Sequence, residues 1–108
     1  MSYRVDILAR ARADFDAIIG WIANRSPEGA DRLTRRFQDA LARLEDNPFI
    51  APIAPKSEDL GLEVRHITFR TKSGRTFRAL FVVEGTAVRV LGVRGPGEPP
   101  LTVRDLDS

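Results

Sequence analysis

At 108 residues, with 43% hydrophobic and 30% charged side chains, the chain can bury one core but not two, and it carries too much apolar surface for wholesale disorder. The absence of cysteine and the single histidine exclude disulfides, thiol catalysis, cysteine-based zinc or iron-sulfur centres and a histidine-rich metal site, and they fit a reducing cytoplasm. Lys+Arg 17 against Asp+Glu 15 gives only +2, yet residues 64–94 hold seven basic side chains (Arg65, Arg70, Lys72, Arg75, Arg78, Arg89, Arg94) against one acidic, Glu84. That segment is therefore the part expected to face a polyanion.

Residues 2–8 alternate Tyr3, Val5 and Ile7 against Arg4 and Asp6, the period of a short strand with one buried face. From about Ala9 the period lengthens: Ala11, Phe15, Ile18 and Ile22, with Ile19 beside them, place an apolar stripe on a helix ending near Asn24. Ser26-Pro27-Glu28 then supplies a cap oxygen, a proline whose missing N–H costs nothing at a first helical position, and an acid at the positive end of the helix dipole. A second helix starting at Pro27 carries Ala30, Leu33, Phe37, Leu41 and Leu44 and stops at Asn47-Pro48. Two amphipathic helices with so short a joint fold back as an antiparallel hairpin.

Residues 48–61 contain Pro48, Pro52 and Pro55 and no period, so they read as an extended connector with Phe49, Ile50 and Ile53 tucked under the helices. Residues 63–71 form a strand with Arg65, Ile67 and Phe69 on one face. A turn at Lys72-Ser73-Gly74-Arg75 leads into a strand over 76–83, where Leu80 and Val82 oppose Phe77, Ala79 and Phe81. Glu84-Gly85 closes a tight hairpin into a last strand over 87–94. Beyond Gly95 the prolines and glycines predict a loosely ordered tail over 95–108 within a single domain, 1–108. The order β-α-α-β-β-β predicts an α+β fold, a helical hairpin packed on one face of an antiparallel sheet. No stretch approaches the ~18 apolar residues of a spanning helix, so no membrane role is expected.

Catalytic equipment is thin. His66 with Glu63 or Glu84 is the natural proton-trading set, but a lone strand histidine is more often a packing residue. Ser26 is used as a cap, Ser73 sits in a turn without a base, and the glycines at 92, 95 and 97 do not open a helix as a phosphate loop requires. Glu58, Asp59, Asp105 and Asp107 read as solvated charge, and no metal or cofactor is expected. Binding fits better: residues two apart on a strand share a face, so Arg65, Arg78 and Arg89 are predicted to line up as a basic row across adjacent strands. Guanidinium forks grip phosphates or carboxylates, which suits nucleic acid or an acidic protein segment.

Tyr3-x-Val5, then Ala11, Asp14, Phe15, Ile18, Trp21 and Ile22, then Asn47-Pro48, then Gly74-x-x-x-Arg78-x-Leu80-Phe81-x-Val83 and Val88-x-Val90-Leu91-x-Val93-Arg94, resemble the ParE branch of the ParE/RelE toxin superfamily over about residues 3–101. The resemblance implies an α+β toxin of a type II toxin-antitoxin pair, concerned with plasmid stabilisation and neutralised by a cognate antitoxin, ParD-like or other. It also implies assembly as a homo-oligomer or a toxin-antitoxin hetero-oligomer in the cytoplasm. RelE-like members are ribosome-dependent mRNA endonucleases, and Arg65, Arg78 and Arg94 fill three of the places such an enzyme uses. Ile67 stands where a second lysine is expected, no Tyr or His follows Arg94, and Gly95 stands where many ParE-like relatives carry His. ParE-like members inhibit DNA gyrase by contact without catalysis, so the leading expectation is an inhibitor of gyrase or another topoisomerase. Its target- or antitoxin-binding residues are expected to be Arg65, Arg70, Lys72, Arg75, Arg78, Arg89 and Arg94. An mRNA endonuclease is the alternative, and a non-toxic binding module or inactive toxin the third.

Overall fold

The structure, a computed structural model, describes residues 2–106. Strand β1 (Arg4–Ile7) leads into helices α1 (Ala9–Ala23) and α2 (Pro27–Asp46), and strands β2 (Arg65–Arg70), β3 (Thr76–Glu84) and β4 (Ala87–Arg94) follow. The helix ends lie where local chemistry sets them. Ser26 Oγ accepts from the Gly29 N–H at 3.0 Å and Pro27 opens α2; Asn47 ends that helix and caps the next turn, its side chain accepting from Phe49 N–H at 3.1 Å.

The strands form one sheet in the order β1-β4-β3-β2. The two hairpins are antiparallel, as expected, but β1 runs parallel to β4, Arg4 opposite Ala87 and Ile7 opposite Val90. The sheet is therefore mixed rather than wholly antiparallel. Parallel pairing requires a long connection between partners, and the helical hairpin and two more strands supply it. A register shift between Leu80 and Phe81 pairs Leu80 with Gly92 and Phe81 with Val90, leaving Leu91 as an extra residue in β4.

Both helices lie on one face of this sheet. Phe15 stacks on Phe37 at 4.2 Å between ring centroids, Phe37 meets Phe69 at 5.2 Å, and Phe69 meets Phe77 at 5.8 Å, an aromatic file from helix to sheet. Leu33, Leu44, Phe81, Val88, Val90 and Val93 complete that core. The opposite face is covered too: Leu80, Val82 and Leu91 pack with Ala54 and Val64 of the connector and Leu101 of the tail, flanked by Leu8, Leu60 and Leu106. A sheet buried on both sides leaves no broad open face for a row of arginines.

Two segments depart from expectation. The connector holds short 3₁₀ turns at Pro48–Ile50 and Ser57–Leu60, and its residues 52–54 run along the outer edge of β2, with Ala54 N–H donating to Val64 O and His66 N–H to Pro52 O. Phe49, Ile50 and Ile53 are not under the helices; they are 50%, 58% and 53% exposed, because hugging the sheet edge turns them outward while Pro48, Ala51 and Ala54 take the inward places. The tail read as loosely ordered carries a buried Leu101 and a helical turn, α3 (Val103–Leu106). Arg10 of α1 reaches it, donating to the Asp105 carbonyl at 2.8 Å and carboxylate at 3.0 Å. Residues 107 and 108 lie outside the described residues. Among those described, no helix is long and apolar enough to cross a membrane.

Candidate functional site

Six of the seven predicted arginine and lysine positions fall into three places, and Arg89 stands apart. Arg65 opens β2 on the same side as Ile67 and Phe69, facing the helices. Its guanidinium donates to Ala51 O at 2.7 Å and to Glu63 Oε1 at 2.9 Å, and it lies 5.2 Å from the centroid of the Phe49 ring. Ile53 is its bridge partner from the connector, and Phe49, next in chain to exposed Ile50, meets Tyr3 edge-on at 6.3 Å. The result is an apolar patch beside a fixed cation at one end of the sheet.

Arg78 projects from the other face of β3, opposite Thr68 on one side and Arg94 on the other. Arg94 is only 8% exposed. It meets Asp14 of α1 at 3.4 Å and Asp105 at 3.6 Å, while Asp14 also accepts from the Val93 N–H at 3.0 Å. Arg89, exposed near the start of β4, pairs with Glu84 at 3.2 Å. The predicted row of Arg65, Arg78 and Arg89 is thus not formed. Arg65 and Arg78 differ in parity and point to opposite faces, and Arg89 stands opposite Val82, four residues from Arg78 or roughly 13 Å along the strand.

His66 lies on the face of Arg78. Burial, and then the Arg78 charge, hold its imidazole below the ordinary pKa, so it favours the neutral form, and its buried Nδ1 has no hydrogen-bond partner. Asp105 is held below the usual carboxylate value chiefly by the Thr102 N–H, which outweighs the opposing effect of burial, with the Thr102 hydroxyl, Arg10 and Arg94 adding to the lowering. Among the described residues, no group of three or more His, Asp or Glu is placed to hold a metal ion.

The third place is the β2–β3 turn, where Arg70, Lys72 and Arg75 border a groove whose other wall is the α1–α2 joint with Trp21, Arg25, Arg32 and Arg36. Sequence reasoning missed the three arginines of this wall. Arg32 and Arg36, four apart on α2, share one face of that helix, which was the available signal for those two; Arg25 lies in the joint before Pro27, where no helical period applies.

A family model, the ParE toxin of the type II toxin-antitoxin system parDE, matches residues 5–98. The chain belongs to the ParE toxin family. Its fold is similar to that of a solved chain from the chromosomal ParDE toxin-antitoxin system of P. aeruginosa, with a TM-score of 0.64, 23% identity, and coverage of 87% of this chain and 96% of that one. Among curated proteins none matches. Within this ParE-family chain, Asp14, Val93 and Arg94, which carried part of the resemblance, prove to be one joint between α1 and the end of β4.

Proposed function

We propose that this ParE toxin acts by gripping a type II topoisomerase, DNA gyrase first, in the cytoplasm, and that its cognate antitoxin neutralises it by covering the apolar patch of Phe49, Ile50 and Ile53 around Arg65. The observation that carries the reading is the state of Arg94. The arginine that would stabilise charge in an mRNA-cleaving relative is enclosed here by Asp14 and Asp105, and the buried Nδ1 of His66 has no hydrogen-bond partner. A surface with no assembled proton-transfer pair does its work by contact. An amphipathic antitoxin helix suits the exposed apolar side chains, and an extended segment suits the β2 edge beyond His66, where the connector's pairing stops. Plasmid supercoiling by purified gyrase, titrated with the toxin, tests this: inhibition relieved by the antitoxin is expected, and unchanged supercoiling at large toxin excess refutes it.

One observation favours a second reading, an mRNA endonuclease: Arg78 and Arg94 are direct register partners, two cations across one strand pair. Ribosome-bound mRNA left intact by the toxin, or cut equally well by Arg78→Ala, removes it. Induced expression without antitoxin that leaves growth unaffected would instead point to an inactive copy.

A further inference from the structure

The groove between the helical joint and the β2–β3 turn, about 420 Å³, gathers Arg25, Arg32, Arg36, Arg70, Lys72 and Arg75 with no carboxylate in its lining. Five arginines elsewhere are paired with carboxylates: Arg4 with Asp6, Arg10 with Asp105, Arg65 with Glu63, Arg89 with Glu84, and Arg94 with Asp14 and Asp105. Among the described residues, none of the six groove cations has an acidic partner within ion-pair distance. Like charges gathered along one groove oppose folding and concentrate anions there.

Several of these side chains are already held in place. The Arg25 guanidinium lies 3.9 Å from the Trp21 ring centroid and donates to Trp21 O, Arg75 lies 5.1 Å from the same ring, and Arg36 donates to Arg70 O at 3.0 Å. Holding donors in advance lowers the ordering cost of binding.

We propose that this groove is a binding site for the phosphodiester backbone of duplex DNA. A docked peptide helix needs open apolar anchors, and here Leu33 is buried while Trp21, the one large exposed apolar side chain in the lining, is occupied by two guanidinium groups. The same occupancy leaves less of that ring for the unpaired bases of a single strand to stack on. What the groove offers is charge on two walls, from helix and from turn, and that matches a phosphate backbone read without base contacts. The proposal stands apart from the topoisomerase reading, since it concerns DNA bound by the toxin alone.

The test is a titration of a labelled duplex of about 20 base pairs with no topoisomerase present, followed by label anisotropy and by emission of Trp21, the chain's only tryptophan. With about four phosphate contacts, raising salt from about 50 to about 200 mM weakens binding roughly a hundredfold. A variant with Arg32→Gln, Arg36→Gln and Lys72→Gln, all at exposed positions, is expected to bind at least tenfold more weakly, with a flatter salt dependence and little change in Trp21 emission. A charge-matched control with Arg4→Gln, Arg12→Gln and Arg104→Gln binds like the parent. Arg32→Gln alone, on the open side of α2, gives a smaller loss in the same direction should the triple variant not fold. The proposal falls if the parent does not bind the duplex, if the groove variant binds as tightly as the parent, or if the control loses as much. It also falls if a glutamate-rich peptide or a single strand displaces the duplex at lower concentration. Supercoiling inhibition plays no part in these outcomes, so either proposal can fail alone.

Discussion

Replacing Asp14 with alanine tests the joint between helix and sheet most directly. Strand β1 pairs with β4 only as far as Val90, so Val93 lies on a stretch of β4 edge without a strand neighbour, and one carboxylate oxygen of Asp14 serves both its N–H and the Arg94 guanidinium. Loss of a hydrogen bond to a charged acceptor costs about 1.5–3 kcal/mol. Arg94, 10% exposed in its side chain, is then left with Asp105 at 3.6 Å as its counter-charge, which adds about 1 kcal/mol because solvent screens so enclosed a cation poorly. A total near 3 kcal/mol lowers the midpoint of thermal unfolding by about 10–15 °C in a chain of this length. Asp14→Asn keeps an acceptor for Val93 and loses only the charge, so it should cost about 1 kcal/mol. Urea and thermal unfolding followed by circular dichroism measure both variants. A loss below about 1 kcal/mol for alanine, or asparagine as damaging as alanine, would refute the assignment of Asp14 as the bridge.

The aromatic file is predicted to be costly to interrupt: Phe37→Ala, at a residue in contact with both Phe15 and Phe69, should lose about 3–5 kcal/mol by chemical denaturation, and a loss under about 1.5 would mean the site collapses around the gap. Gly92→Ala should cost about 1–2 kcal/mol, because its new methyl carbon would lie 3.2 Å from the Asp14 carboxylate and 3.2 Å from a Leu101 methyl; unchanged stability would show that tail and helix yield there. For His66 the sign follows from the lowered pKa. Below about pH 6.5 the unfolded chain takes up a proton that the folded one resists, so stability is full above that pH and declines as pH falls toward the folded pKa. Unfolding measured between about pH 5 and 8 should show that decline in the parent and a shallower one in His66→Gln, and stability rising on acidification would overturn it.

Local chemistry made most elements readable in advance. Ser26-Pro27 and Asn47-Pro48 mark the ends of α2 to the residue, and alternation in Phe77, Ala79 and Phe81 against Leu80 and Val82 gives the faces of β3. What escaped reading depends on partners distant in sequence. Nothing within residues 4–7 says that β1 will lie parallel to β4, and nothing in Leu101 says that it will cap the sheet's second face. The arginines show the same divide: their types and strands were legible, but whether they align rests on the register and on the bulge at Leu91, which no single segment encodes. Likewise, the basic groove exists only because the α1–α2 joint is brought beside the β2–β3 turn. Exposed Phe49 and Ile50 were misplaced for want of any period in a proline-punctuated stretch.

The clasp between Arg10 and Asp105 spans 95 positions. A ribosome making this protein therefore releases the helical hairpin and all four strands before the residue that fastens them has emerged. Until then Arg94 lacks one of its two carboxylates and Leu101 has not yet covered Leu91, so the growing chain passes through an unsealed stage.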